Sequence, residues 1–280
     1  MPRTSACHCL AMSYDWISFT TDYGIDDGFV GVCEGVVARI APAPRVIHIS
    51  HTVPPQDVRR GAAVLAQAVP YLPPAVHLAV VDPGVGTDRR GVAVVTAQGV
   101  LVGPDNGLLV PAAELLGGVR EVHELSDPAY RLSTVSATFH GRDLFAPAAA
   151  HLAAGVAVER FGPAVDPATL VRLPEPETLV EQGKLTTEIR YIDTFGNIQL
   201  AATGADLDGS GATVGTTAHA NLNGRSVKAT VGRTFADTIL DGLIVYVDSG
   251  GRVALAVNGG SAANDFGGKV GDPVWLLFAR

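Results

Sequence analysis

Two patterns of hydrophobic and polar positions divide the chain. From residue 16 to about 170, short apolar runs alternate with segments whose apolar residues recur at helical spacing. WISFTT, RVIHIS and VHLAVV are typical of strands, whereas FVGVCEGVVARI carries one apolar helical face and stops at Pro42. Strands that alternate with helices indicate a mostly parallel sheet covered on both faces.

The same alternation continues to about residue 155. DVRRGAAVLAQAVPYL, LLVPAAELLGG and DLFAPAAAHLAAG are predicted helices, and RGVAVVTAQGVLVG is predicted to form two strands joined at residues 97–99. The proline- and charge-rich stretch 172–184 then predicts a linker or domain edge.

Beyond this stretch the pattern becomes β-rich. TTEIRYID, NIQLAA, SVKATVG, GLIVYVDS and RVALAVN are short runs broken by Gly, Asp and Asn, which predicts a small antiparallel sheet or barrel. We therefore expect a loose tail at residues 1–15 and an α/β domain with a mostly parallel sheet at 16–175. A small C-terminal antiparallel β-barrel-like domain is expected at 184–280.

Composition narrows the class of partner. The 280 residues are 47% hydrophobic and only 17% charged, with a formal net charge of −8, so a large core is expected and a nucleic-acid partner is not. The start of the sequence has no apolar run typical of a secretory signal, and no segment could span a membrane, so we expect a cytoplasmic protein. Cys7 and Cys9 have no second Cys/His cluster at zinc spacing, so no metal is expected.

Side chains able to do chemistry follow the predicted strands. Asp22 and Asp27 come after WISFTT, Asp82 and Arg89 come after VHLAVV, and His140 opens the last predicted helix. Because ligands bind beyond the carboxyl ends of the strands of an open parallel sheet, these groups could share one site. His48 and His51, at the end of RVIHIS, could line the same rim.

Each of these residues also has a plainer interpretation. Asp22 and Asp27 suit a turn and a helix N-cap, Asp82 precedes a proline in a turn, and Arg89 and Arg90 could be solvated surface. His140 could be a histidine without a task. The stretch Gly84-Val85-Gly86 lacks the third glycine of a dinucleotide fingerprint and leads into a strand, so a nicotinamide or flavin enzyme is disfavoured.

Seven motifs, taken in order, resemble those of the S-adenosyl-L-methionine hydroxide adenosyltransferases, which are related to the fluorinase and chlorinase. The resemblance runs from about residue 16 to the C-terminus. It implies an α/β domain followed by a β-barrel-like domain, a homotrimer with the site at the subunit interface, and S-adenosyl-L-methionine as a substrate without a separate cofactor. The motifs are TDYGIDDGFVGVCEGV, SHTVPPQDVRRGA, VDPGVGTDRRG, VGPDNGLL, TFHGRDLFAPAAAHLAAG, IDTFGNIQL and TFAD.

The resemblance also distinguishes hydrolysis from halogenation. The halogenases carry tyrosine where this chain has Asp82 and His140, so the chain resembles the hydrolytic branch. Its Asp-Arg-His triad corresponds to Asp82, Arg89 and His140, with Arg89 rather than Arg90 seven residues after the aspartate. Hydrolysis to adenosine and methionine is the activity that this implies.

The substrate contacts implied by the resemblance lie in both halves of the chain. Asp22 corresponds to a residue that binds both ribose hydroxyls, and Asp27 and Asp193 to residues near the methionine ammonium. Gly250 and Gln56 depart from the halogenase pattern, which has arginine and tryptophan there. The residues implied around adenine and the rest of the pocket are Phe195, Asn197, Phe235, Ser249, Asn258 and Gly259.

Three other functions remain open from the sequence. A non-catalytic binder of adenosine or its sulfonium would keep the pocket without turnover. A metal-dependent hydrolase could use Asp22, Asp27, His48 or His140. A halogenase is disfavoured because Asp82 stands in place of tyrosine.

Overall fold

The computed structural model describes residues 13–279. The chain divides into two compact units, with the division between Leu173 and Pro174. Most of the tail expected at 1–15, together with Cys7 and Cys9, lies outside the described residues. None of the helices within residues 13–279 combines the length and apolar character needed to cross a bilayer.

The first unit is built on a six-stranded mixed sheet. Its strand order is β2-β1-β3-β5-β4-β6, and five strands share one direction while β4 runs in the opposite one, so the prediction of a mostly parallel sheet is confirmed. The last strand was not predicted from the sequence. The strands are β1 Trp16–Thr21, β2 Arg45–Ser50, β3 Ala75–Val80, β4 Gly91–Val95, β5 Gly99–Pro104 and β6 Glu121–Glu124.

Helices cover both faces of this sheet, as predicted. α1 and α4 pack together on one face over Phe19 and Leu78, and α2 and α3 pack on the other over Ala79 and Leu101. The N-cap of α1 is Gly28, without a side-chain hydrogen bond, so the N-cap interpretation of Asp27 is wrong. The helices are α1 Phe29–Ile40, α2 Val58–Ala68, α3 Val110–Leu115 and α4 Ala146–Ala153.

The second unit is a closed β-barrel, which confirms the predicted class. Seven strands follow the order β14-β10-β11-β12-β13-β9-β8, and β14 pairs with β8 to close the ring. β7 pairs with β8 from outside the ring and lies inside the predicted linker. The strands are β7 Leu179–Glu181, β8 Lys184–Ile192, β9 Ile198–Thr203, β10 Thr217–Leu222, β11 Arg225–Val231, β12 Leu243–Val247, β13 Arg252–Val257 and β14 Pro273–Phe278, with short helices α5 Gly204–Gly209 and α6 Ala262–Phe266.

The strand order creates a crevice in the first unit. β1 and β3 are parallel neighbours, so the residues after Thr21 and after Val80 lie at the same edge of the sheet. From β1 the chain passes to β2 on one side, and from β3 it passes to β4 and β5 on the other. Such a divergence opens a ligand crevice at the carboxyl ends of the strands.

Candidate active site

The three side chains predicted to be catalytic are in direct contact. Arg89 Nε donates to both carboxylate oxygens of Asp82, at 2.9 and 3.0 Å, and Arg89 Nη2 donates to Asp82 Oδ2 as well. The same Nη2 donates to His140 Nδ1 at 2.9 Å. The side chains of Arg89 and Asp82 are only 11% and 6% exposed, so the solvated-surface interpretation of Arg89 is wrong. Arg89 is thus the centre of the cluster.

Arg90, the neighbouring arginine, belongs to a different ion pair. Its Nη2 lies 2.5 Å from Asp105 Oδ2 and 2.9 Å from the Thr169 carbonyl oxygen. Asp105 Oδ1 in turn accepts from the Val171 N–H at 2.9 Å. Arg90 therefore joins the end of β5 to the last loop of the first unit, which is a structural task.

The loop after β3 brings Arg89 back to Asp82. Thr87 Oγ1 donates to the Gly84 carbonyl oxygen at 2.7 Å, which closes the turn between them. Gly86 has a φ of +78°, and a Cβ at this position would overlap the Ala137 carbonyl oxygen. Only glycine allows this loop to pack so closely against the segment that leads to His140.

A buried carboxylate is hydrogen-bonded to residues on both sides of His140. Asp143 is fully buried, accepts from Arg142 Nε at 2.6 Å, and accepts from the Ser136 N–H at 2.8 Å. Burial raises the pKa of Asp143, but the hydrogen bonds from Arg142 and Ser136 lower this pKa by more. The ionised carboxylate therefore holds the loop that ends at His140.

The protonation state of His140 follows from its partner. A guanidinium can only donate, so Nδ1 of His140 accepts and the proton of the neutral ring lies on Nε2. Burial, and next the positive charge of Arg89, lower the pKa of His140. Neutral His140 thus offers an Nε2–H donor at the site, while the Asp82 carboxylate offers acceptor lone pairs.

Tyr23 is a site residue that sequence reasoning missed. Its ring packs edge-on against Phe139, with centroids 5.7 Å apart, and its hydroxyl lies so close to Gly141 that a Cβ there would overlap it. Burial is the main cause that raises the pKa of Tyr23, and Asp82 adds to it. The phenol therefore stays protonated beside the triad. Its place in the strand-end motif TDYG was the available signal.

The two N-terminal substrate-binding candidates differ in how they are held. Asp22 Oδ2 accepts from the Gln56 N–H at 2.8 Å, and the turn around Asp22 is also joined to His51, whose carbonyl oxygen accepts from the Gly24 N–H at 2.7 Å. Asp27 is exposed, just before the start of α1. Their contacts with a substrate stay predictions.

Three candidates of the second unit form one turn. Asp193 Oδ1 accepts from the N–H groups of Phe195 and Asn197, both at 2.9 Å, and Asp193 Oδ2 accepts from Asn197 Nδ2 at 2.8 Å. The Phe195 side chain is left 77% exposed. The carboxylate of Asp193 therefore has a structural task, whatever it does for a ligand.

The other C-terminal candidates lie at two ends of the barrel strands. Asn258 and Gly259 follow β13, and Asn258 Nδ2 donates to the Thr238 carbonyl oxygen at 3.0 Å. Phe235, which is 47% exposed, packs edge-on against Tyr246. Ser249 lies in the turn between β12 and β13, one strand length away from Asn258. Ser249 and Asn258 therefore lie at opposite ends of β13, and Phe235 contacts the neighbouring strand β12 through Tyr246.

Residues 13–279 contain no group of three or more His, Cys, Asp or Glu side chains that could hold a metal ion. Two of the side chains that a metal-dependent hydrolase could have used have other partners instead. His48 is hydrogen-bonded to His51, and His140 to Arg89.

An α/β unit with an Asp-Arg-His cluster at its strand ends, followed by a closed β-barrel, defines a two-domain class of protein. Its first domain matches the S-adenosyl-L-methionine hydroxide adenosyltransferase N-terminal domain over residues 17–162, and its second matches the C-terminal domain over residues 187–275. The chain belongs to this family.

Individual relatives support the same placement. A Salinispora arenicola protein named (R)-S-adenosyl-L-methionine hydrolase is 56% identical over 90% of this chain and 94% of its own. A Nocardia brasiliensis fluorinase is 29% identical over 91% of this chain and 94% of its own. The crystal structure of an uncharacterized conserved protein from Thermotoga maritima superimposes with a TM-score of 0.87 at 35% identity, covering 93% of this chain and 99% of the other.

Proposed function

We propose that this protein hydrolyses S-adenosyl-L-methionine to adenosine and L-methionine. The observation that carries the proposal is the contact of Asp82, Arg89 and His140 at the strand ends of the first unit. The family match and the name of the 56% identical relative support the same substrate.

The demanding part of this reaction is the activation of the nucleophile. A water oxygen forms a bond to the ribose C5′ while the C5′–S bond breaks. The electron pair of the broken C5′–S bond stays on sulfur. Methionine leaves as a neutral thioether, so the leaving group needs no acid, and the attacking water releases one proton. Positioned water and a general base each lower the barrier, the base by typically about 10²–10⁴-fold.

In this proposal the three side chains have different tasks, which their contacts support. Neutral His140 donates from Nε2 to the water oxygen and directs its lone pair toward C5′. Asp82 accepts a hydrogen bond from the same water and takes its proton as the bond to C5′ forms. Arg89 holds both groups and supplies a fixed positive charge that favours hydroxide-like character on the water.

The substrate contacts belong to the same proposal. Asp22 accepts both ribose hydroxyls, and Asp27 and Asp193 attract the methionine ammonium. Phe195 and Phe235 pack on adenine, which suits their exposure of 77% and 47%. The remaining proposed contacts are Asn197 at the adenine edge and Ser249, Asn258 and Gly259 along the pocket.

We also propose a homotrimer in which one subunit's first domain and a neighbour's second domain share each substrate. The family resemblance suggests this assembly, and exposed apolar side chains such as Ile25 (74%) and Ile239 (80%) suit an interface. Light scattering at several protein concentrations tests it. A stable monomer with full activity would contradict it. A cytoplasmic location stays a prediction from the sequence.

Isotope labelling tests the proposed reaction. Overnight incubation with S-adenosyl-L-methionine in ¹⁸O-water should give adenosine labelled at the 5′-hydroxyl, together with methionine. A His140→Asn variant, run in parallel, should bind adenosine but lose turnover. Adenosine without label, or no adenosine at all, would contradict hydrolysis; retained adenosine binding in that case would favour a non-catalytic binder.

Two further incubations test for halogenation and for dependence on a metal. With chloride in place of a non-halide salt, formation of 5′-chloro-5′-deoxyadenosine would indicate a halogenase, which the Asp82 carboxylate disfavours by repelling an anion. With a chelator, loss of activity would indicate a metal-dependent hydrolase. Under our proposal, labelled adenosine forms at the same rate in both.

A further inference from the structure

A chain of one charged contact and two hydrogen bonds runs from the surface to the last residue of β1. His48 Nε2 lies 3.6 Å from Glu34 Oε2, His48 Nδ1 lies 2.7 Å from His51 Nε2, and His51 Nδ1 lies 2.8 Å from Thr21 Oγ1. Thr21 Oγ1 also accepts from the Tyr23 N–H at 3.2 Å. Thus α1, β2 and the loop after β2 are joined to the turn that contains Asp22.

The direction of this chain follows from its two ends. We assign the ring proton of His48 to Nε2, which faces the Glu34 carboxylate, so that His48 Nδ1 is the acceptor and His51 Nε2 the donor. His51 Nδ1 then accepts from the Thr21 hydroxyl, whose oxygen accepts from the backbone. Burial, and next the nearby His48, lower the pKa of His51 to about 4, so His51 is neutral and carries the single ring proton that this direction needs.

His51 holds the turn around Asp22 at two points. Its ring is hydrogen-bonded to Thr21, one residue before Asp22, and its carbonyl oxygen accepts from the N–H of Gly24, two residues after it. The ring itself packs edge-on against the buried Phe19, with centroids 4.9 Å apart, so it has little freedom to turn. A rigid, tautomer-specific group therefore sets the backbone on both sides of the carboxylate.

We propose that His51 is a positioning residue for substrate binding, oriented by His48 and Glu34. It keeps the Asp22 turn in the geometry that receives the two ribose hydroxyls, and it touches no reacting atom. The inference rests on the proposed function, because it takes the ribose contact of Asp22 from there. The inference adds His51, His48 and Glu34 as residues that affect substrate binding, and it leaves the tasks of the Asp82 cluster as proposed above.

Replacing His51 by asparagine or by glutamine tests the contacts of its two ring nitrogens separately. The shorter amide of His51→Asn can replace the Nδ1 contact with Thr21, whereas the longer amide of His51→Gln can replace only the Nε2 contact with His48. Thr21→Val removes the hydroxyl at nearly constant shape, and Thr21→Ser restores it. His123→Gln is the matched control, because His123 has two hydrogen bonds, to Gly162 and Glu121, on β6 at the opposite edge of the same sheet.

The expected result is a selective loss of binding. Loss of one buried hydrogen bond predicts a rise of about three- to tenfold in KM for S-adenosyl-L-methionine and in the calorimetric Kd for adenosine. This rise is expected in His51→Gln and Thr21→Val, with a smaller one in His51→Asn and recovery in Thr21→Ser. Values of kcat should change less than KM, and His123→Gln should alter only thermal stability.

The outcomes distinguish this inference from the proposed function. If wild-type protein binds adenosine but forms none from S-adenosyl-L-methionine, hydrolysis is wrong while the order of adenosine Kd values still tests His51. If the wild type turns over and His51→Gln binds adenosine as tightly as His51→Asn, the positioning role is wrong. Equal losses in His123→Gln would likewise overturn it, since they would show a general effect of stability.

Discussion

Two adjacent arginines allow a sharp test of the catalytic cluster. Arg89→Met removes the partner of Asp82, and Arg90→Met removes the partner of Asp105, from the same loop. Both carboxylates are almost completely buried, with side-chain exposures of 6% and 3%. Each variant thus leaves one buried carboxylate without its arginine, and only Arg89 contacts His140.

The expected magnitudes come from that geometry. Leaving either carboxylate buried without its partner is expected to lower the free energy of unfolding by about 3–5 kcal/mol, with the smaller loss for the more exposed Arg90. Only Arg89→Met also removes the charge and the donor next to the proposed nucleophile. By analogy with the loss of one transition-state donor, kcat should fall by about 10²–10³-fold, or roughly 3–4 kcal/mol.

Two assays separate stability from catalysis. Urea unfolding followed by circular dichroism gives the free energy of unfolding, and chromatography of adenosine gives kcat at a temperature where each variant is folded. A double variant, Asp82→Asn with Arg89→Met, should recover much of the lost stability, because no buried charge is left unpaired, but none of the activity. If Arg90→Met lost as much kcat as Arg89→Met, the cluster would be structural and our reasoning refuted.

Three further predictions use the surroundings of the cluster. Burial and Arg89 lower the pKa of His140 from 6.5, so kcat/KM should fall only when the pH drops through this lowered pKa. Arg89→Met should move the acid limb of the pH–rate profile to higher pH. An acid limb that does not move would contradict this. Gly141→Ala should cost about 1–3 kcal/mol of stability in urea unfolding by overlapping the Tyr23 hydroxyl, and Tyr23→Phe should restore part of it. The pKa of Asp143 is lower in the folded protein than its unfolded value of 3.8, so the ionised carboxylate stabilises the fold above pH 3.8. This stabilisation is lost as the pH falls through the folded-state pKa. Asp143→Asn should therefore flatten the decline of the free energy of unfolding in acid titrations.

Periodicity predicted most of the first unit, because its strands are continuous apolar runs and its helices have clear faces. Two of the strands that it missed carry weak signals. β6 is only four residues, EVHE, with charged ends, and β10 buries small residues, Ala218 and Ala220. The barrel was predicted as a class, but ring closure by β14 and β8 joins segments that lie far apart along the chain, which no local pattern specifies.

The candidate site was predictable only in part. Strand ends placed Asp22 and Asp82 at one edge of the sheet by general rules of parallel sheets. The contact of Arg89 with His140, 51 residues along the chain, came from the family resemblance and not from spacing. The tautomer of His140 and the chain through His51 required atomic positions, because both depend on which nitrogen faces which donor.

Strand geometry explains why the side chains of Arg89 and Arg90 lie on different faces of the sheet. Both directly precede β4, and the Arg90 carbonyl oxygen already accepts from the Asp105 N–H at 2.9 Å, so the backbone is extended here. Successive side chains of an extended segment point to opposite faces of the sheet. Arg89 therefore reaches the face of α4, where its guanidinium lies 5.0 Å from the Phe145 ring and contacts His140, while Arg90 reaches the opposite face. Shifting the register of this segment by one residue would exchange the two faces, so the seven-residue spacing between Asp82 and Arg89 is part of the site itself.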